Sequence, residues 1–128
     1  MAKAVIITTE GEKQVKEFTI GESYKMLSEA VGGLIECVRL APNLDMWVND
    51  NGLAEGLAQN PHGTAVYVDT FQYPNVIVGN IIFTGGADDK GETLGLSDEQ
   101  VKEWLNYDKR LFHTPIGFIG YHEIDLNK

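Results

Sequence analysis

Glu36 is the carboxylate best placed to do chemistry. It stands in Val31-Gly32-Gly33-Leu34-Ile35-Glu36-Cys37-Val38-Arg39-Leu40, where a helical pattern stops at a double glycine and an apolar strand begins at once. Turned into a core, Glu36 would have a raised pKa and could serve as a general acid or base. Turned to solvent, it would pair with Arg39 or with a neighbouring strand and hold the fold. The rest of the chain offers it no catalytic partner at a recognisable spacing. His62, His113 and His122 are far apart, none at i, i+4 on a helix and none paired with a cysteine as a metal ligand would be. Cys37 is the single cysteine, which excludes an intrachain disulfide; its apolar strand marks it as a buried small hydrophobe rather than a reactive thiol. Gly79, Gly85 and Gly86 lack the spacing of a phosphate-binding loop, and Asp88-Asp89-Lys90-Gly91-Glu92 lacks the alternating oxygen ligands of a calcium loop. No nucleophile elbow and no Ser-His-Asp order is present. The expectation is a protein with no catalytic residues, no metal and no cofactor.

Charge says more. The 128 residues carry a net charge of −9, placed unevenly: between Leu40 and Asp89 there is no Lys or Arg, while Asp45, Asp50, Glu55, Asp69, Asp88 and Asp89 fall in or at the end of that span. Such a balance argues against direct contact with a nucleic-acid backbone. It suits a basic protein partner, metal cations or mimicry of nucleic acid, and it also serves solubility. The aromatics Trp47, Tyr67, Phe71 and Tyr73 sit on or beside strands. Exposed, they would stack on a partner; buried, they make core and cross-strand pairs. An anionic small molecule such as a nucleotide would have only Arg39, Lys109 and Arg110 as concentrated cations.

These residues must be positioned by a small fold. A chain of this length and 43% hydrophobic content makes one domain with a real core. No apolar run approaches the ~20 residues needed to span a bilayer, and the N-terminal segment turns polar by Thr8, so a cytoplasmic protein is expected. Ala4–Thr8 and Gln14–Ile20 read as a β-hairpin about Glu10-Gly11-Glu12. Ser23 is an N-cap for a helix whose apolar face is Tyr24, Leu27 and Val31, closed by Gly32. Leu34–Leu40 and Leu44–Asn49 are strands. Asn49-Asp50-Asn51-Gly52 is a hairpin turn with Leu53–Leu57 as its short return. Asn60 caps the backbone of a loop through His62-Gly63. Thr64–Thr70 alternates as a strand, and Val76–Phe83 is a central strand buried on both faces, with Gly79 marking a bulge or a close approach. Ser97 with Gln100 opens a second helix through a capping box, and Ile116–Tyr121 is a last strand. The sum is α+β: one domain over 1–128, a mostly antiparallel sheet with two short helices.

Tyr24 and Leu27 before Val31-Gly32-Gly33-Leu34-Ile35-Glu36, then Trp47-Val48-Asn49-Asp50-Asn51-Gly52, Asn60 with Ala65, and Ile77-Val78-Gly79-Asn80 resemble the domain-of-unknown-function family 3846. The resemblance covers about Tyr24 to Phe83 and the helix opening Leu96–Gln100, a family-like core of about 24–105; Leu111 onward lies outside it. Asn80 stands where the family would more often carry aspartate. The resemblance implies a setting, that of small proteins common in bacteriophages and mobile elements, and carries no activity. It implies a binder rather than an enzyme, one that modulates or inhibits a host protein. Apart from the resemblance, a cytoplasmic monomer or homodimer is expected, since an edge strand such as the last one can pair between subunits. The expected contact residues are Glu36, Arg39, Trp47, Asp50, Asn60, Phe71 and Tyr73. Sequestration of a small nucleotide signal, and an enzyme using Glu36, stand as alternatives.

Overall fold

In the computed structural model, which describes residues 1–107, eight elements follow one another: β1 (Ala2–Ile7), β2 (Lys13–Phe18), α1 (Ser23–Val31), β3 (Ile35–Ala41), β4 (Leu44–Asn49), α2 (Pro61–Phe71), β5 (Ile81–Thr84) and α3 (Asp98–Leu105). The strands form one sheet in the order β2-β1-β5-β4-β3, with every neighbouring pair antiparallel. The α+β class and the antiparallel sheet are as expected. The segment Ile116–Tyr121 lies outside the described residues.

Alternation along the strands sorts side chains onto two faces. Val5, Ile7, Met46, Val48, Ile81 and Phe83 point to one, where Val66 of α2 and Trp104 of α3 complete the larger core. Trp104 stacks on Phe83 with ring centroids 3.7 Å apart. Ala4, Ile6 and Ile82 point to the other face and meet Leu27 and Val31 of α1. The sheet is thus covered on both sides, and β5, central and buried at all four positions, has no wet face.

Four local readings differ from expectation. Residues 61–71 are helical, where an alternating strand over Thr64–Thr70 was expected, so three helices are present among the described residues rather than two. The β-branched run favours a strand, but Asn60 accepts a hydrogen bond from Gly63 N–H as an N-cap and Pro61 sits at the first helical position. Burial of Gly63, Val66 and Asp69 at threefold spacing then follows the helix. Leu53–Leu57 is not a return strand: the chain curls back on itself, with Leu57 N–H donating to Gly52 O. The central strand is shorter than Val76–Phe83, because Gly79 takes φ +80°, which ends regular pairing before Ile81. Leu57 packs there, 2.9 Å from where a Cβ would lie. Finally, Ser23 is the first residue of α1, and Glu22 at the cap makes no side-chain bond.

The other helix ends behave as read. Gly32 closes α1 in the left-handed region and donates to Ser28 O. At α3, Ser97 Oγ accepts from Gln100 N–H and Gln100 Oε1 accepts from Ser97 N–H.

Candidate partner-binding surface

The end of the sheet where β3 begins and β4 stops is built around Asn49. Its Nδ2 donates to Val31 O at 3.2 Å, which ties the turn to the end of α1, and its Oδ1 accepts from Asn51 N–H at 2.8 Å. Asp50 N–H donates to Leu34 O. The turn is therefore fixed on two sides, and beside it lies a groove of about 340 Å³ lined by Glu36, Asp50, Asn51, Leu53, Asn75 and Val76 among others. Glu36 and Asp50 are exposed, and so are the apolar Leu53 (76%) and Val76 (45%). Glu55 approaches the same corner, its Oε1 3.4 Å from Asn49 Nδ2. Two of the expected contact residues are thus brought together with two exposed apolar side chains that the sequence did not single out. Their signal was present: both flank turn residues on a chain segment without any cation.

Phe71 is the last residue of α2 and Tyr73 follows it, on the segment that leads to Asn75 and Val76. Phe71 packs against Tyr67 with centroids 4.7 Å apart, and Tyr73 is 64% exposed. Trp47 is different. It is half-buried in the α1-side core, and its Nε1–H donates to Thr84 Oγ1 at 2.8 Å. Its ring is a fold element with limited access.

Arg39 is already engaged. Its Nε donates to Asp45 Oδ1 at 2.9 Å and its Nη2 to Oδ2 at 3.2 Å, a two-pronged pair across β3 and β4. The carboxylate is almost wholly buried while the guanidinium side chain is half-exposed. Hydrogen bonding and charge from Asp45 raise the Arg39 pKa further above its ordinary value. Cys37 is exposed on edge strand β3, correcting the expectation of a buried residue. Its sulfur is nonetheless partly enclosed; that burial first, and the Asp45 charge second, push the thiol up to about 11. It is protonated at neutral pH and poorly nucleophilic.

Asn60 is fully buried. Besides capping α2, its Nδ2 donates to Ile7 O at 3.1 Å and to Gly79 O at 2.9 Å. It binds three parts of the fold to one another and presents nothing to a partner, so its expected place among contact residues is corrected in favour of the capping role.

The acidic span is rearranged by folding. Asp45 and Asp69 are buried; Asp50 and Glu55 sit at the groove end of the sheet; Asp89 is exposed in the loop after β5, where Asp88 Oδ1 accepts from Lys90 and Glu92 N–H. A second, larger groove of about 620 Å³ runs between α1 and the β1–β2 hairpin. Its floor includes Ile6 and Phe18, and its rim holds Lys16 and Lys25 together with Glu17, Glu22 and Glu29. Asn80 lines it too, its Oδ1 accepting from Thr9 N–H. Sequence reading missed this groove, because its lining is scattered over the first thirty residues and residue 80 without a motif. Lys109, Arg110, His113 and His122 lie outside the described residues. Among the described residues no helix is long and apolar enough to cross a membrane, and no three His, Cys, Asp or Glu are grouped to hold a metal.

The family model for a domain of unknown function, DUF3846, matches residues 2–109. That is most of the 128-residue chain, and this protein belongs to that family. The match extends to the N-terminal hairpin, beyond the stretch from Tyr24 in which the resemblance is legible by eye. Neither curated proteins nor solved structures gave a match.

Proposed function

We propose that this chain is a non-enzymatic binding protein that engages a basic segment of a protein partner at the Glu36–Asp50 end of its sheet. The observation that carries this reading is the groove itself: exposed Glu36 and Asp50 beside exposed Leu53 and Val76, the last three of them on a stretch where no lysine or arginine occurs from Ala41 to Asp89. Apolar contact would supply affinity and the carboxylates would supply steering and orientation. An enzyme built on Glu36 is less well supported, since that side chain is exposed on an edge strand and not enclosed in a pocket. In biological terms this chain is a phage-borne modulator or inhibitor of a host protein, acting by stoichiometric capture in the host cytoplasm as a counter to host defence.

The test is retention of a stoichiometric partner from host lysate by the wild-type chain, compared with the Glu36→Lys/Asp50→Lys double variant. Both positions are exposed, so the variant should fold. The expected result is a partner held at low salt, weakened as ionic strength rises, and lost in the double variant. A partner held equally by both proteins, or none at any salt, overturns the reading.

The size of the larger groove supports a second reading, a small nucleotide seated on Lys16 and Lys25, with Glu17, Glu22 and Glu29 of the same rim opposing its charge. Its volume falls in the range usual for ligand sites. Arg39 is committed to Asp45 and does not line this groove, so it is not the cation expected for the task. Native mass spectrometry of the protein from its host would show the ligand as added mass, and Lys16→Ala/Lys25→Ala would remove it. A clean apo mass removes this reading.

A further inference from the structure

The partner-binding reading leaves open how an extended partner would be gripped. The backbone of β3 supplies a means. Among the described residues, β3 pairs with β4 on one side only and forms an edge of the sheet. Leu34 O accepts from Asp50 N–H, so Leu34 turns its backbone groups toward β4. The register continues as Glu36↔Val48 and Val38↔Met46. In an antiparallel ladder the intervening residues turn theirs outward. The N–H and C=O groups of Ile35, Cys37 and Arg39 therefore face outward in a row, until the irregularity between Arg39 and Ala41 ends it.

The two edges of the sheet are not alike. β2 carries Lys13, Lys16 and Glu17 along its six residues, the kind of charge that keeps strands from adding to an edge. β3 has two charged residues. Arg39 is folded back onto Asp45, and Glu36 stands at the groove. An incoming strand thus meets one free charge, a carboxylate, with Asp50 beside it.

We infer that β3 accepts an extended basic segment of a protein partner as a sixth strand, with a lysine or arginine of that segment set beside Glu36 and Asp50. This deepens the function proposed above and rests on it. Main-chain bonds to Ile35, Cys37 and Arg39 fix the segment's direction and register, while charge complementarity selects its side chains. On the face bearing Glu36 and Val38, the guest residue beside the carboxylates is basic. On the opposite face, its neighbours are Ile35 and Cys37, which suit a small or β-branched side chain.

The probe is a blocked seven-residue peptide alternating valine with lysine or arginine. Its controls are the counterpart with glutamate at each basic position and one N-methylated on alternate backbone nitrogens. Amide exchange by NMR on the full chain reads the edge directly. In the free protein, the amides of Ile35, Cys37 and Arg39 should exchange fast while those of Glu36 and Val38 are protected. The basic peptide should slow the first three and leave the last two unchanged. N-methylation in the pairing phase and Cys37→Pro should each weaken binding about tenfold or more, and the acidic peptide should not bind. Should Cys37→Pro fail to fold, the methylated peptide decides. Binding that is lost in Glu36→Lys/Asp50→Lys yet indifferent to N-methylation overturns the added strand and leaves the acidic-groove reading standing. No binding of the basic peptide overturns both. Protection of Ile35, Cys37 and Arg39 in the free chain shows the edge already occupied, by a second copy if the protection depends on concentration, and also overturns the inference.

Discussion

Replacing Asn60 by alanine tests the joint that holds α2, β1 and the segment before β5 together. The side chain is fully buried and makes three hydrogen bonds: Gly63 N–H to Oδ1, and Nδ2 to Ile7 O and Gly79 O. Loss of an asparagine N-cap costs about 1 kcal/mol, and each buried group left unsatisfied costs roughly 1–3 kcal/mol. The carbonyls can recover part of this by local adjustment, so we expect a total of about 3–5 kcal/mol, a large fraction of the roughly 5–15 kcal/mol of a typical domain. Urea unfolding should show a lower midpoint with an unchanged slope. Asn60→Asp sharpens the test. It keeps the cap acceptor and sets a carboxylate against two carbonyl oxygens. Burial and repulsion raise the folded-state pKa above the ~3.9 of an unfolded aspartate. Its stability is then greatest below that value, where the protonated acid donates one bond, and falls as pH rises through the raised value. Stability of Asn60→Ala within about 1 kcal/mol of wild type, or an Asn60→Asp protein with wild-type stability at neutral pH, would refute the reasoning.

Three further outcomes are expected. Gly63→Ala places a Cβ 2.9 Å from Ile77 Cγ2 and 3.1 Å from Ile81 Cδ1. Overpacking of about 1–3 kcal/mol should outweigh the gain in helix propensity, and thermal melting should fall by several degrees. Ser97→Ala should cost about 1 kcal/mol, and a double-mutant cycle with Gln100→Ala should show strong coupling, since each residue bonds the other's backbone. For the single cysteine, the alkylation rate of Cys37 should rise with pH toward an inflection at about 11. Asp45→Asn should bring that inflection down and Arg39→Ala should push it up, the signs following from the neighbouring charges. Because folding raises this thiol, its contribution to stability is complete below the ordinary thiol pKa and lost as pH rises through about 11.

Where the sequence was legible, local chemistry and tertiary packing agreed. Leu44, Met46 and Val48 alternate and are buried on one face; Gly32 ends α1; Ser97 and Gln100 make the expected box. Residues 61–71 failed because two signals competed. Periodicity over Thr64–Thr70 favours a strand, while the Asn60-Pro61 pair opens a helix, and the cap together with burial of Gly63 against Ile77 and Ile81 decided it. The groove was half legible: Glu36 and Asp50 were chosen on charge, and their proximity depends on the β3–β4 register, which no local motif encodes. Arg39 and Asp45 could be chosen separately, but their pairing, and the commitment of the nearest cation that follows, needed the strands side by side.

The place of β5 also sets an order of events. The β1–β2 and β3–β4 hairpins each close over a short turn, whereas the four-residue strand between them joins Val5 to Phe83, 78 positions apart in the chain. Such a closure loses chain entropy before contacts reward it. The hairpins therefore assemble early and the seam between them is made last. A chain still emerging from the ribosome carries two half-sheets whose facing edges, at Val5–Ile7 and Asp45–Trp47, await the arrival of Ile81–Thr84. The barrier then lies in bringing the two half-sheets together, before the contacts of these four residues form, and Ile82→Val should hasten unfolding more than it slows refolding.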